Sequence, residues 1–164
     1  MATQKGNHIT NFDSTPPGVV DARLHGGIVK YYGDQFELVD TADGDIAHLL
    51  RLPVDAIAKH IYAAFDDLGS AGTVDIGFYR KKTDGTYIVV DADAFANNID
   101  VNASAVVRTD YRFSAQGIET ANQTIWELAG LSARPDYSDL YLSLTTDTGT
   151  TADGTVLLQA ELVV

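Results

Sequence analysis

The sequence predicts an all-β fold: an antiparallel β-sandwich, jelly-roll-like, with about eight or nine strands and one short helix near residues 92–98. Three observations lead there. First, apolar and polar side chains alternate with period two in several segments, the pattern of a strand with one buried face. Val74, Ile76 and Phe78 alternate with Asp75, Gly77 and Tyr79, and Leu140, Leu142 and Leu144 alternate with Tyr141, Ser143 and Thr145. Second, three Asp-Gly pairs lie between such segments, at Asp43-Gly44, Asp84-Gly85 and Asp153-Gly154. Asp-Gly is a strong hairpin signal because both residues tolerate positive φ. Third, helical periodicity is scarce. About eight strands joined by turns make a jelly roll the first choice among sandwiches and barrels.

The elements follow in chain order. Residues 1–25 contain Pro16-Pro17, Gly18 and many small polar residues, with few apolar residues at any period. The Pro pair blocks helix, so this part reads as an extended N-terminal arm. Pro16, Pro17, Val19 and Val20 are its expected partner-binding residues, and residues 26–164 form a single β-sandwich domain. Gly26 to Asp40 reads as a strand, with Ile28, Tyr31, Tyr32, Phe36, Leu38 and Val39 as β-formers and a bend or bulge at Gly33-Asp34. Ile46 to Leu52 is the next strand, ended by Pro53.

Asp55 to Leu68 carries two patterns. Ile57, Ile61, Phe65 and Leu68 sit at helical spacing, with Asp55 as cap and Gly69 as closure. Ile57, Ile61, Ala63 and Phe65 also share one face of a strand, and consistency with the strands on either side favours that reading. Thr73 to Val90 is a hairpin turning at Asp84-Gly85. Asp91 to Asn98 reads as one or two helical turns capped by Asp91 or Asp93. Val106 to Phe113 is a strand, Gly117 to Asn122 a turn, and Thr124 to Leu128 a short strand carrying Trp126, the only tryptophan. After a break at Ala133–Asp136 come the strand around Leu140–Leu144, a loop over Asp147–Gly154, and a last alternating strand to Val164. That strand's core residues are expected to tuck the C-terminus into the sheet.

A chain of 164 residues fits one domain. Cysteine is absent, which removes disulfides, thiolate metal sites and a Cys nucleophile. The start lacks the apolar core of a secretion signal, and no apolar run approaches a membrane span. Eleven Lys and Arg against 23 Asp and Glu leave a net charge of −12. Such a field repels phosphate backbones and anionic lipid, so neither nucleic acid nor membrane is an expected partner. Arg80-Lys81-Lys82 is the only basic run and reads as a solvated hairpin end.

Residues with catalytic potential form no recognisable constellation. His8, His25, His48 and His60 include no pair at metal-binding helical spacing, and His48 is expected to point outward from its strand. Asp40, Asp43 and Asp45, Asp91 and Asp93, and Asp147 and Asp153 cluster at predicted turns and caps. Turn chemistry is the reading adopted for them; a structural calcium site or acid–base work are the alternatives. No catalytic, cofactor-binding or metal-binding residue is therefore assigned, no cofactor is expected, and the protein does not read as an enzyme.

Two segments taken together carry a resemblance. One runs from Leu50-Arg51-Leu52-Pro53 through Phe65-Asp66-Asp67-Leu68-Gly69 into Thr73–Tyr79. The other runs from Asp84-Gly85 into Asp91–Phe95, with closure on Tyr141-Leu142-Ser143-Leu144-Thr145-Thr146 and a final strand. Over roughly residues 24–164 the chain resembles small structural proteins of tailed bacteriophages that decorate or cement the capsid. The resemblance implies a jelly-roll-like sandwich, a homotrimer, and the major capsid protein as partner. It places the protein on the capsid surface of the virion, made in the host cytoplasm, and it supports a strand at 55–68. The alternatives are a carbohydrate- or receptor-binding sandwich of a tail fibre and a head–tail connector.

Overall fold

The structure is a computed structural model that describes residues 27–39, 41–69, 72–102 and 106–164. The expected arm, with Pro16, Pro17, Val19 and Val20, lies outside the described residues, as does Asp40.

Eight strands are described: β1 (Val29–Leu38), β2 (Ile46–Pro53), β3 (Ile57–Phe65), β4 (Thr73–Lys81), β5 (Tyr87–Asp100), β6 (Val106–Asp110), β7 (Asp139–Thr148) and β8 (Gly154–Val163). They form two antiparallel four-stranded sheets, ordered β1-β8-β3-β6 and β2-β7-β4-β5. Strand 1 pairs with 8, 2 with 7, 3 with 6 and 4 with 5. That is a ribbon of four antiparallel pairs wound so that alternate pairs fall in opposite sheets, which is the jelly roll the alternation predicts. The inner faces meet over Leu52, Ile61, Ile76, Phe78, Leu142, Leu144, Leu158 and Leu162, all at most 1% exposed. The segment at 55–68 is a strand: β3 sits between β8 and β6, where its alternating Ile61, Ala63 and Phe65 all face the core.

Two expected elements are corrected. The short helix near 92–98 is instead part of β5. Between the pairs Phe78–Asp91 and Ile76–Ala96, β4 advances two residues while β5 advances five. The surplus forms a bulge that drops Phe95 into the core, edge-on to Phe78 with ring centroids 5.1 Å apart. Asn98 turns the chain back at φ +54°, its N–H held by Asp75 Oδ1 at 2.7 Å. Asp and Asn suit such a bulge as well as they suit a helix cap, so local sequence did not separate the two.

The second correction is at Thr124–Leu128, expected as a strand. It is a one-turn helix, α1 (Ile125–Leu128), entered through Thr124, whose N–H and Oγ1 both reach Glu127 Oε2 at 2.7 and 2.6 Å. The Thr-x-x-Glu spacing is the relevant sequence signal. The first N–H groups of a helix lack partners inside it. Here Ile125 N–H donates to Ala56 O at 2.8 Å and Trp126 N–H to Val54 O at 3.1 Å, so the helix start closes the backbone leading into β3. The strand expected to run to Phe113 stops at Asp110, and residues 112–114 turn.

Candidate functional site

Two surfaces stand out. The first is the outer face of the sheet β2-β7-β4-β5. Side chains of β4 at odd positions, Asp75, Gly77, Tyr79 and Lys81, face outward here, opposite Thr145, Ser143 and Tyr141 of β7. His48 of β2 lies at the centre of an aromatic cluster. Tyr87 stacks on it with centroids 3.8 Å apart, and Tyr79 and Tyr141 meet it edge-on. Its Nδ1 lies 2.7 Å from Ser143 Oγ, and burial holds its pKa below the ordinary histidine value. His48 does leave its strand outward as expected; sequence reasoning missed that three tyrosines from other strands converge on it. The His48–Ser143 contact superficially resembles a base and a nucleophile. Ser143 is 0% exposed, so no substrate reaches its hydroxyl, and the contact serves packing.

The hairpin end of this face mixes both signs: Arg51, Lys81 and Lys82 stand among Asp84, Asp136 and Asp139. Arg51 reaches Asp139 at 2.5 Å, Arg80 lies over the Tyr137 ring and Lys81 over the Tyr87 ring. At the other end Asp75, Asp91, Asp93 and Asp147 crowd together. Burial pushes the Asp91 carboxyl upward, and its hydrogen bond with Asp93 and that residue's charge push the same way. Asp93 is pulled down, first by the Asn97 amide at 2.7 Å and then by Asp91. Asp75 is raised by burial and by the charges of Asp147 and Asp93, against the pull of the Asn98 N–H.

This has a measurable consequence. A carboxyl whose folded-state pKa lies above its unfolded value keeps its proton to higher pH in the folded protein. Its favourable contribution is full below the unfolded pKa and is lost as pH rises through the folded one. At neutral pH the protein therefore bears the cost of two ionised, crowded carboxylates. Asp91→Asn keeps a donor toward Asp93 and removes a charge, and is expected to raise the melting temperature by about 2–4 °C at pH 7. The gain should shrink to nothing near pH 3, below the ordinary carboxyl range. Melting curves of both proteins across that range check this; a gain independent of pH would contradict it.

The second surface is the edge strand β1. Among the described residues its strand pairing runs on one side only, to β8. Ile28, Val29, Tyr31, Phe36 and Val39 are each more than half exposed. Beside its end, between β1 and β2, lies an apolar groove of about 330 Å³ lined by Phe36, Leu38, Val39, Ile46, Ala47 and Val74. Long apolar edges are ordinarily blunted by charge or cover, because they pair readily with other chains. Its β-forming residues placed β1 in a sheet and could not tell that it sits at an edge.

The Asp residues serve turns at several expected positions. Asp84 Oδ1 accepts from Thr86 N–H and Oγ1 and Asp45 Oδ2 from Ala42 N–H, while Asp43 Oδ1 ties its turn to Gly149 N–H in the distant loop before β8. Asp91 and Asp93 cap no helix. Among the described residues no three His, Asp or Glu side chains gather in a way that could hold a metal ion, and no helix is long and apolar enough to cross a membrane.

No family model matches this chain, and no curated protein matches it. Solved structures do. A chain of the cyanophage Pam1 capsid asymmetric unit aligns with TM-score 0.58 at 16% identity, over 85% of this chain and 87% of that one. A chain of the capsid of Ralstonia phage GP4 aligns with TM-score 0.53 at 18% identity, over 82% of this chain and 84% of that one. At such identities the likeness establishes a shared fold. The two coverages of each match are nearly equal, so these neighbours are close to this chain in length.

Proposed function

We propose that this chain is a structural protein of a phage virion that binds the shell of major capsid protein and stabilises it from the outer surface, as a decoration or cement protein. The observation that carries this reading is the shared fold, spanning most of both chains, with capsid chains of about the same small size. The surfaces support it in kind: a jelly roll with an unpaired apolar edge and no accessible nucleophile–base pair among the described residues has the makings of a docking module. The β1 edge and its groove are the proposed shell-facing surface, through strand addition or apolar packing. The residues before β1 act as an arm that reaches a neighbouring protein through Pro16, Pro17, Val19 and Val20, and copies group as trimers on the shell. An arm of 25 residues spans up to about 80 Å when extended.

The test is attachment to purified shells that lack the protein. Binding should saturate at a copy number tied to the shell's symmetry, and shells so loaded should resist heat better than bare ones. Deleting residues 1–20 is expected to leave the melting temperature nearly unchanged and to weaken attachment tenfold or more, about 1.4 kcal/mol. Tyr31→Asp with Phe36→Asp should do the same, because both side chains are more than half exposed and neither fills the core. No saturable binding by the full chain would sink the proposal. Full binding by the truncated chain would remove the arm from it.

A further inference from the structure

The open side of β1 carries a defined set of hydrogen-bonding groups. Ile28 exchanges both backbone hydrogen bonds with Val164, just beyond β8, at 3.3 and 3.0 Å. Bonded and unbonded residues alternate along an antiparallel pair, and the β1–β8 register runs without a shift. The backbone groups of Val29, Tyr31, Gly33 and Gln35 therefore point away from β8. Gln35 bears out this parity, because its N–H donates instead to Asp34 Oδ1 at 2.9 Å. Even positions of β1 lie on the core side. They stand opposite Leu162, Ala160, Leu158 and Val156, all 0% exposed, and Tyr32 packs against the core.

The sequence just before β1, outside the described residues, matches this side. Val20, Ala22 and Leu24 alternate with Asp21, Arg23 and His25, the pattern of a strand with one apolar face. Gly26-Gly27 then supplies a turn. Folded back through a five-residue connection, Leu24 to Ile28, the segment sets Arg23 opposite Val29, Asp21 opposite Tyr31 and Val19 opposite Gly33. Those three β1 residues carry the open backbone groups. On the core side the same register sets Leu24 opposite Ile28 and Val20 opposite Tyr32. It also stops where a ladder must stop. Pro17, which has no N–H, falls opposite Gln35, whose own N–H is already taken. Pro16 falls opposite Phe36, which is 51% exposed beside the apolar groove.

We propose that residues 16–24 cover the β1 edge of their own chain, with residues 19–23 added to the sheet as a further antiparallel strand. The short tether favours the chain's own segment over any separate partner, because it holds that segment beside β1 at high effective concentration. The cover also answers the hazard of a long apolar edge. It concerns the chain before attachment and does not rest on the shell reading; a shell or neighbour that takes the arm or the edge must first part the two.

Backbone amide exchange of the full chain, read residue by residue by NMR, tests it. Asp21→Pro removes the N–H that faces Tyr31 O, and Val29, Tyr31 and Gly33 should then exchange tenfold or more faster than in the parent. Ala22→Pro is the control, since its N–H points to solvent in this register and protection should persist. Ala22 and Lys30 form an unbonded cross-strand pair, close enough for a disulfide. In the chain with Ala22→Cys and Lys30→Cys, which has no other cysteine, mild oxidation should link the two within one chain, at monomer mass. Equal exchange in the parent and both proline variants would overturn the inference. So would equal loss of protection from both prolines, or a disulfide joining two chains, the sign of a second copy's segment on the edge.

Discussion

Arg112→Ala is expected to lower the melting temperature by about 10 °C, the largest loss from any single polar side chain here. Arg112 is 0% exposed. Its Nε donates to Ala58 O at 2.9 Å, and its two terminal nitrogens donate to Thr120 Oγ1 at 3.1 Å and Thr120 O at 2.6 Å. β6 pairs with β3 only as far as Tyr62–Asp110, with Tyr111 N–H reaching Ile61 O just beyond. Between that point and the bridge from Ile57 to Thr124, Arg112 takes the place of a strand on this edge of β3 by tying it to the loop around Thr120. Truncation takes the side-chain donor from the buried Ala58 O, at about 1–3 kcal/mol, and opens a cavity as well, while Thr120 O keeps Gln123 N–H. A total near 4 kcal/mol corresponds to roughly 10 °C in a chain of this size. Arg112→Met should recover part of the loss by filling the space without supplying donors. Thermal melts of the two variants check this. A loss under about 1 kcal/mol for the alanine variant would show that the loop around Thr120 is held by other contacts.

Gly77→Ala should be comparably damaging, for a steric reason. The bulge of β5 folds directly over Gly77, and a Cβ there would stand 2.2 Å from the carbonyl carbon and oxygen of Ala92 and from Asp91 O. These are backbone atoms and cannot swing aside. β5 would have to lift, and with it Phe95, which is fully buried against Phe78. A cost of about 3 kcal/mol or more is expected. Gly85→Ala supplies the contrast. That glycine has φ +88° but open space around it, so only the backbone penalty of roughly 1–2 kcal/mol applies. Denaturant unfolding of both variants decides it. Equal losses at the two positions would show that the bulge yields more readily than its contacts suggest.

Period-two alternation, β-forming residues and Asp-Gly turns were enough to place most of the strands, though only the start of β5; β3, whose helical spacing competes with its strand pattern, was settled by consistency with its neighbours and by the family resemblance. They were enough because a strand half-buried in a sandwich must show that alternation wherever it lies. They also favoured the jelly roll, since about eight antiparallel strands with short turns leave few ways to wind. The net charge and the missing cysteine were read directly, and both narrow the chemistry this chain can perform.

What only the tertiary structure decided depends on residues brought together from distant parts of the chain. The bulge at Ala92–Phe95 exists because Phe78 offers Phe95 a place in the core, and nothing within Asp91–Asn98 announces that partner. Arg112 is buried because β3 runs out of strand partners at Ile61, which is a matter of sheet register. His48, Tyr79, Tyr87 and Tyr141 lie on four different strands and meet only because β2, β7, β4 and β5 stand in that order. Local pattern tells each residue which way to point; which residues it meets there is set by the winding of the ribbon, through contacts far apart in the chain.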